Sequence, residues 1–209
     1  VELEAHFAAI ADANFARHKA LWEATRKALP CVIQGDSRRL AELIGCADAD
    51  MVISSPPYLP ETDRKRKHEG KAGDSAGGFR NFYSDNPANL GNPVGANGLA
   101  AFWSSAREIV CQCHAVLRTG GHAIWVTKDF VRKFSRVDFS DGWVRMCEAS
   151  GFQLVCRHRA MLVSEQEELD LFAGTTVRRK GRKSFFRRLA EKRGAPAIDY
   201  EDVACFVKV

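Results

Sequence analysis

The chain has 209 residues, 45% of them apolar, and a formal net charge of +5. That is enough apolar material for one α/β domain with its own core, and no run approaches the ~20 apolar residues of a membrane span. The acidic, helical opening does not resemble a secretory signal, and seven scattered cysteines suit buried free thiols in a reducing compartment better than a disulfide framework.

In chain order, Phe7, Ile10, Ala11, Leu21 and Trp22 recur at helical positions and predict a helix over Ala5 to Ala28, stopped by Pro30. Cys31-Val32-Ile33-Gln34 reads as a short strand ending at Gly35-Asp36, and Arg38 to Ile44 as a short helix. Met51 to Ser54 is the next strand. Leu99, Phe102, Trp103, Ala106, Ile109, Val110, Cys113, Val116 and Leu117 keep helical spacing, with Gly120-Gly121 as the stop. His122 to Thr127 reads as a buried strand, and Asp141 as the cap of a helix that carries Trp143, Met146 and Cys147 and ends at Gly151. Phe152 to Cys156 and Val203 to Val207 complete the strands. This alternation predicts a doubly wound, mostly parallel sheet. Cys111-Gln112-Cys113-His114 falls inside a helical pattern and has no second ligand pair at metal spacing, so no metal site is expected.

Two stretches break the pattern. Leu59 to Gly98 lacks apolar periodicity and contains Arg64-Lys65-Arg66-Lys67; a loop of that length is functional or disordered. Val177 to Arg193 packs basic residues, Arg187 and Arg188 among them, around Ser184-Phe185-Phe186. Phe79, Phe82, Tyr83, Phe185 and Phe186 interleave with this charge, as expected where phosphates and unstacked bases are held together. The plain alternative is a solvated basic face. Target recognition is expected in residues 59–98, where the amides between Asn81 and Asn92 could read base edges.

The most informative tetrapeptide is Ser55-Pro56-Pro57-Tyr58, which closes the apolar run Asp50-Met51-Val52-Ile53-Ser54. Two successive prolines can neither continue a sheet nor enter a helix interior, so the chain must leave the strand as a stiff extended elbow. Such an elbow aims carbonyl groups and one aromatic face outward from the end of a strand, the edge where open α/β sheets bind ligands. Carbonyls beside an aromatic plate suit a flat heterocycle with an exocyclic amino group.

The elbow resembles the Asp/Asn/Ser-Pro-Pro-Tyr motif of amino-methyltransferases that modify nucleic-acid bases, and its serine form resembles DNA N4-cytosine methyltransferases. Gln34-Gly35-Asp36-Ser37-Arg38-Arg39-Leu40 is similar to the third motif of these enzymes, Leu117-Arg118-Thr119-Gly120-Gly121-His122 to the corner before their fifth strand, and Val1-Glu2-Leu3-Glu4 to the end of their second strand. Asp129 to Lys133, Gly151 to Val155 and Ser184 to Arg188 resemble phage and bacterial members of the N4/N6 type. The resemblance implies a Rossmann-like class I methyltransferase fold, mostly parallel and doubly wound, with an antiparallel C-terminal strand. Residues 1–58 and 99–209 would form the catalytic domain and residues 59–98 an inserted basic loop. It further implies S-adenosyl-L-methionine as cofactor, double-stranded DNA as partner, and a cytoplasmic, nucleoid-associated setting of bacterial or phage type.

By the same resemblance, Glu2 would bind the ribose hydroxyls of the cofactor, with Glu4 as the alternative, and Asp36 would accept its adenine amino protons. Gly35 would let the ring approach the backbone, beside Ser37. Each has a structural alternative, a helix-terminal charge for Glu2 and a helix cap for Asp36, and at Asp36 both roles can coexist. Ser55, Pro56, Pro57 and Tyr58 would position the target amine, with Tyr58 stacked on a flipped base and the Pro56 carbonyl and Ser55 accepting its protons. Arg64, Lys65, Arg66, Lys67, Arg187 and Arg188 would contact phosphates. Pro30-Cys31 imitates the nucleophile turn of cytosine C5 enzymes, yet it opens a strand and reads as core.

One departure matters. The Phe-x-Gly-x-Gly turn that cradles the methionine part of the cofactor in these enzymes has no counterpart in the chain; Gly73, Gly77 and Gly78 lie in a polar loop with no strand before them. The strand bearing that turn would pair centrally, between those at Val1 and Met51, and its loss would bare interior edges at ~1–3 kcal/mol per buried amide. The expectation is a longer polypeptide with that turn upstream of Val1. An RNA base or a protein glutamine as substrate, and a cofactor-free nucleic-acid-binding remnant, stay open as alternatives.

Overall fold

The computed structural model describes residues 1–25, 28–45, 49–57, 86–91, 98–132, 134–170, 174–181 and 191–209, with side-chain detail outside 164–190. The chain forms two compact units, Val1–Ala49 with Leu59–Arg118, and Asp50–Tyr58 with Thr119–Val209. No helix among the described residues is long and apolar enough to cross a membrane.

The first unit is helical. Helices α1 (Ala5–Arg17) and α2 (Lys19–Ala24) replace the single helix expected over Ala5 to Ala28. The break falls at His18, whose amide is shared between the carbonyls of Asn14 (3.3 Å) and Phe15 (3.1 Å); no glycine or proline marks it in the sequence. Only Ala8 of α1 is buried, and Phe7, Ile10 and Leu21 stay exposed. Glu2 forms an isolated parallel bridge with Gln34, which is all that the described residues show of the strand expected over Cys31–Gln34. Cys31 is exposed, so its expected place in a core is corrected: with a single bridge beside it, no sheet face among the described residues covers the thiol.

A 3₁₀ turn at Ser37–Arg39 leads into α3 (Leu40–Ile44), and both pack on α4 (Gly98–Val116). Phe102, Ala106, Val110, Cys113 and Val116 are buried along one stripe of α4, as their three- and four-residue spacing requires. Gln112 Oε1 accepts the Ala41 amide at 2.9 Å, satisfying a donor that the first turn of α3 leaves without an intrahelical acceptor. Of the sequence Cys111-Gln112-Cys113, therefore, one thiol is exposed, the amide serves α3 and the other thiol is buried. Burial raises the Cys113 thiol to about 12. Helix α4 ends at Val116, earlier than the glycine pair predicts. Leu117 opens a strand directly, and Gly120 (φ 76°) bends the chain within that strand.

The second unit is built on a four-stranded sheet in the order β1–β2–β8–β5, comprising β1 (Ala49–Ser54), β2 (Leu117–Thr127), β5 (Phe152–Met161) and β8 (Tyr200–Lys208). The C-terminal strand β8 runs antiparallel to both neighbours, pairing His122–Thr127 with Val207–Asp202 and Phe152–Met161 with Lys208–Tyr200. Strands β2 and β5 therefore point the same way on either side of it. A register slip between Leu154 and Cys156 leaves Val155 as an extra residue in β5. Tyr200, Asp202, Ala204 and Phe206 of β8 face inward, alternating with half-buried residues.

Helix α5 (Phe139–Ala149) supplies Phe139, Trp143 and Cys147 to this core from one face. Trp143 lies 5.3 Å from Trp125 and 5.7 Å from Phe139 between ring centroids, and Phe152 lies 6.2 Å from Phe206. Gly151 (φ 96°) ends the helix as expected. Asp141 is not its cap. That residue sits in the first turn, the N-cap position is Asp138 without a side-chain bond, and Asp129 instead accepts the Ser140 amide at 2.9 Å.

Two hairpins were not legible in the sequence: β3 (Phe130–Arg132) with β4 (Ser135–Val137), and β6 (Val163–Asp170) with β7 (Gly174–Gly181). The second takes up the start of the basic stretch, placing Glu165 opposite Arg179 and Gln166 opposite Arg178 in register.

Candidate functional site

In the second unit, β1 is an end strand of its sheet and runs directly into the elbow. Met51 and Ile53 are 50% and 67% exposed on it, while Val52 and Ser54 are half-buried. At the elbow Ser55 is exposed, Pro56 buried and Pro57 half-buried. The first proline thus anchors the turn and leaves the serine at its head accessible. The prolines have no amide hydrogens, so the segment's backbone offers acceptors rather than donors beyond Ser55. Tyr58, the expected stacking residue, lies outside the described residues.

In the first unit the structure brings two of the expected cofactor segments together. Glu2 donates its amide to the Ile33 carbonyl and accepts the Gly35 amide, both at 2.9 Å, so Glu2 lies beside the start of Gly35-Asp36-Ser37. Glu2 Oε1 accepts the Glu4 amide at 2.9 Å. Glu4 Oε1 in turn accepts from Asn89 Nδ2 at 2.8 Å, which ties the segment 86–91 to the N-terminus.

Asp36 caps the 3₁₀ turn through the Arg38 amide at 2.9 Å, and the Arg38 side chain closes on the same carboxylate. Arg38 Nε lies 3.0 Å from Oδ1 and 2.9 Å from Oδ2, and Nη2 lies 2.5 Å from Oδ2. Those four bonds occupy the roughly four acceptor positions of a carboxylate. The hydrogen bonds from Arg38 outweigh partial burial and hold the Asp36 carboxyl below its ordinary range. The capping alternative is therefore realised. At Gly35 an added Cβ would sit 2.6 Å from Leu43 Cδ1, so the missing side chain leaves room for a leucine of the same unit. Ser37 is half-buried in the turn.

Asn86 and Asn89 were candidates for reading base edges. Asn86 Oδ1 accepts the Ala88 amide and Asn89 Oδ1 the Gly91 amide, both at 2.9 Å, so both side chains fold the local turns, and Asn89 also serves Glu4. Arg64, Lys65, Arg66, Lys67, Arg187 and Arg188 lie outside the described residues.

The sequence reading missed a charged network in the second unit, at the end of the sheet where β2 and β5 finish and β8 begins. Asp129 is almost completely buried, and Arg136 binds its Oδ2 through Nε at 2.8 Å and also through Nη2. Arg136 Nη2 also donates to the Tyr200 hydroxyl at 2.8 Å. Arg157 bridges Asp202 Oδ1 (2.8 Å) and Asp141 Oδ1 (2.5 Å), and its hydrogen bond depresses the Asp141 carboxyl. Arg159, exposed, stacks its guanidinium 4.5 Å from the Tyr200 ring centre. These residues are scattered from 129 to 202, so no local motif announces them. The only available signal is the placement of Asp129 just beyond a buried strand.

No protein-family model matches the chain, and no curated protein matches it. Three crystal structures of one Thermus thermophilus protein, named as a candidate DNA modification methylase, align with 83% of it at 12–15% identity and TM-scores of 0.45–0.47. One is a selenomethionine derivative and one is complexed with S-adenosyl-L-methionine. The chain spans about half the length of these structures, between 50% and 53%.

Proposed function

We propose that this chain transfers a methyl group from S-adenosyl-L-methionine to the exocyclic amino nitrogen of a base flipped out of double-stranded DNA, with cytosine N4 favoured over adenine N6. The observation that carries the reading is the elbow: a strand ends in Ser55-Pro56-Pro57 with the first proline buried and the serine accessible. The Pro56 carbonyl and Ser55 accept the amine protons, and Tyr58 stacks on the base. These bonds oppose delocalisation of the nitrogen lone pair into the ring and aim it, so catalysis rests on positioning without a covalent nucleophile.

The cofactor supplies the electrophilic methyl group on its sulfonium. Glu2 fits a ribose contact, because Oε1 is used by the Glu4 amide and Oε2 remains to accept a hydroxyl proton. Asp36 fits an adenine contact only if Arg38 releases one of its oxygens; as it stands, the aspartate fixes the turn that places Gly35 and Ser37. Arg64, Lys65, Arg66, Lys67, Arg187 and Arg188 hold phosphates in this reading.

The experiment is methyl transfer from labelled S-adenosyl-L-methionine to duplex DNA by the intact protein, followed by mass analysis of the nucleosides. N4-methylcytosine is the expected product. N6-methyladenine would move the target, and equal labelling of RNA would move the polymer. Tyr58→Ala should abolish turnover while cofactor affinity stays nearly unchanged; undiminished turnover would remove Tyr58 from its role. A second reading, a nucleic-acid-binding protein that takes no cofactor, is favoured by the full engagement of Asp36 with Arg38. Titration calorimetry separates the two: DNA binding without any heat from S-adenosyl-L-methionine selects the second.

A further inference from the structure

Cys156 of β5 and Cys205 of β8 are direct cross-strand partners in an antiparallel pair. Directly opposed residues in such a ladder have Cα atoms roughly 4.5–5.5 Å apart and side chains on the same face. A disulfide needs Cα atoms roughly 4.4–6.8 Å apart, so the ladder already supplies the required separation. Both thiols are free and half-exposed. They lie on the face of the sheet away from the aromatic core, since Ala204 and Phe206, which flank Cys205, are the buried neighbours. The thiols also interact: after burial, the largest influences raising Cys205 are a hydrogen bond and a charge interaction with Cys156. The register slip beside Cys156 leaves Val155 as the unpaired residue of a bulge, where the strand bends and its twist increases.

The remaining described cysteines differ. Cys113 and Cys147 are buried, and Cys31 and Cys111 are exposed on the other unit without a cross-strand cysteine partner among the described residues.

We propose that Cys156 and Cys205 are a modification site, a dithiol that two-electron oxidants such as hydrogen peroxide convert reversibly into a cross-strand disulfide. One thiolate attacks the peroxide, forming a sulfenic acid and releasing hydroxide, which takes up a proton to become water. The second sulfur then attacks the sulfenic sulfur, forms the S–S bond and expels a second water. The two thiols together lose two electrons and two protons, which the peroxide takes up. A dithiol reductant reverses the step by exchange. The bond would staple the C-terminal strand to its neighbour and close residues 156–205 into a loop. The proposal is independent of any methyl-transfer activity.

The test treats the purified chain, with all seven cysteines, with a slight excess of hydrogen peroxide. The folded protein should lose two of its seven thiols. Peptide mapping should show a single Cys156–Cys205 linkage, and dithiothreitol should restore both thiols. The linkage should form at least about tenfold faster in the folded chain than in guanidinium, where the strands no longer hold the sulfurs together. Cys156→Ser and Cys205→Ser should each abolish it. Retention of all seven thiols, linkages spread among other cysteines, or over-oxidation of Cys156 or Cys205 without a cross-link would each overturn the proposal. The map of the unmodified sequence decides the matter even if a serine variant misfolds.

Discussion

Helices α1 and α5 both carry apolar residues at helical spacing, gathered more sharply on one face in α5, and the structure treats them in opposite ways. From α5, Phe139, Trp143 and Cys147 enter a core shared with Trp125 of β2. From α1 only Ala8 is buried, and Phe7 and Ile10 remain 46% and 45% exposed. A helical stripe states which side chains can be buried together; a partner surface decides whether they are. The second unit supplies that surface as a sheet, whereas the described residues of the first bury Ala8 and leave Ala11 and Phe15 of α1 only half-buried.

Removing Trp143 should break this contrast most severely. Trp143→Ala deletes a ring packed against Trp125 and Phe139, and chemical denaturation should show a loss of about 3–5 kcal/mol. Next comes Asp129→Ala, which leaves the Ser140 amide without its acceptor and frees Arg136 from a buried carboxylate. Because Arg136 is itself partly solvated, the expected loss is at the lower end of buried-pair values, about 3 kcal/mol, read in the same measurement.

A smaller effect separates the units by pH. Asp36 in the first unit and Asp141 in the second are both held below the ordinary value of 3.8 by arginine hydrogen bonds. A carboxyl depressed in the folded state contributes stability fully above its unfolded value and loses it as the pH falls through the folded value. Acid titration below about pH 4 should therefore weaken each unit. Arg38→Ala should remove the contribution of Asp36, and Asp141→Asn that of Asp141 while keeping the Arg157–Asp202 pair, each leaving the other in place. Acid unfolding insensitive to both variants would refute the assignment. The smallest effect is expected at Phe7→Ala, within about 0.5 kcal/mol, since that side chain is already half in solvent. A loss comparable to that at Trp143 would show that α1 has a partner surface.

Much of the second unit was legible in advance. The strands at His122–Thr127, Phe152–Cys156 and Val203–Val207, the helix bearing Trp143 and its stop at Gly151 all follow from residue periodicity and a positive-φ glycine. The elbow was legible for a stronger reason: paired prolines forbid both alternatives to an extended exit. What misled was local analogy. Asp141 is a residue type that caps helices but sits inside the first turn, and Asp129 reaches the helix start from another element. The single helix read over Ala5 to Ala28 breaks at His18 without any residue that forces it. Cys31 reads as core because it opens an apolar run, yet that run makes one bridge and leaves the cysteine exposed while Val32 and Ile33 are half-buried.

The candidate site divides along the same line. Residue chemistry alone marked Ser55-Pro56-Pro57 as a fixed presentation of acceptors, because proline acts on the backbone of its own segment and needs no distant partner. Glu2 and Asp36 were marked only by the resemblance of their segments to methyltransferase motifs. Only the tertiary structure brought Glu2 beside Gly35 and set Cys156 opposite Cys205. The bonds between Asp36 and Arg38, two residues apart, are local and accompany the cap that Asp36 makes. The other two facts depend on pairing between segments far apart in the chain, which no local pattern encodes.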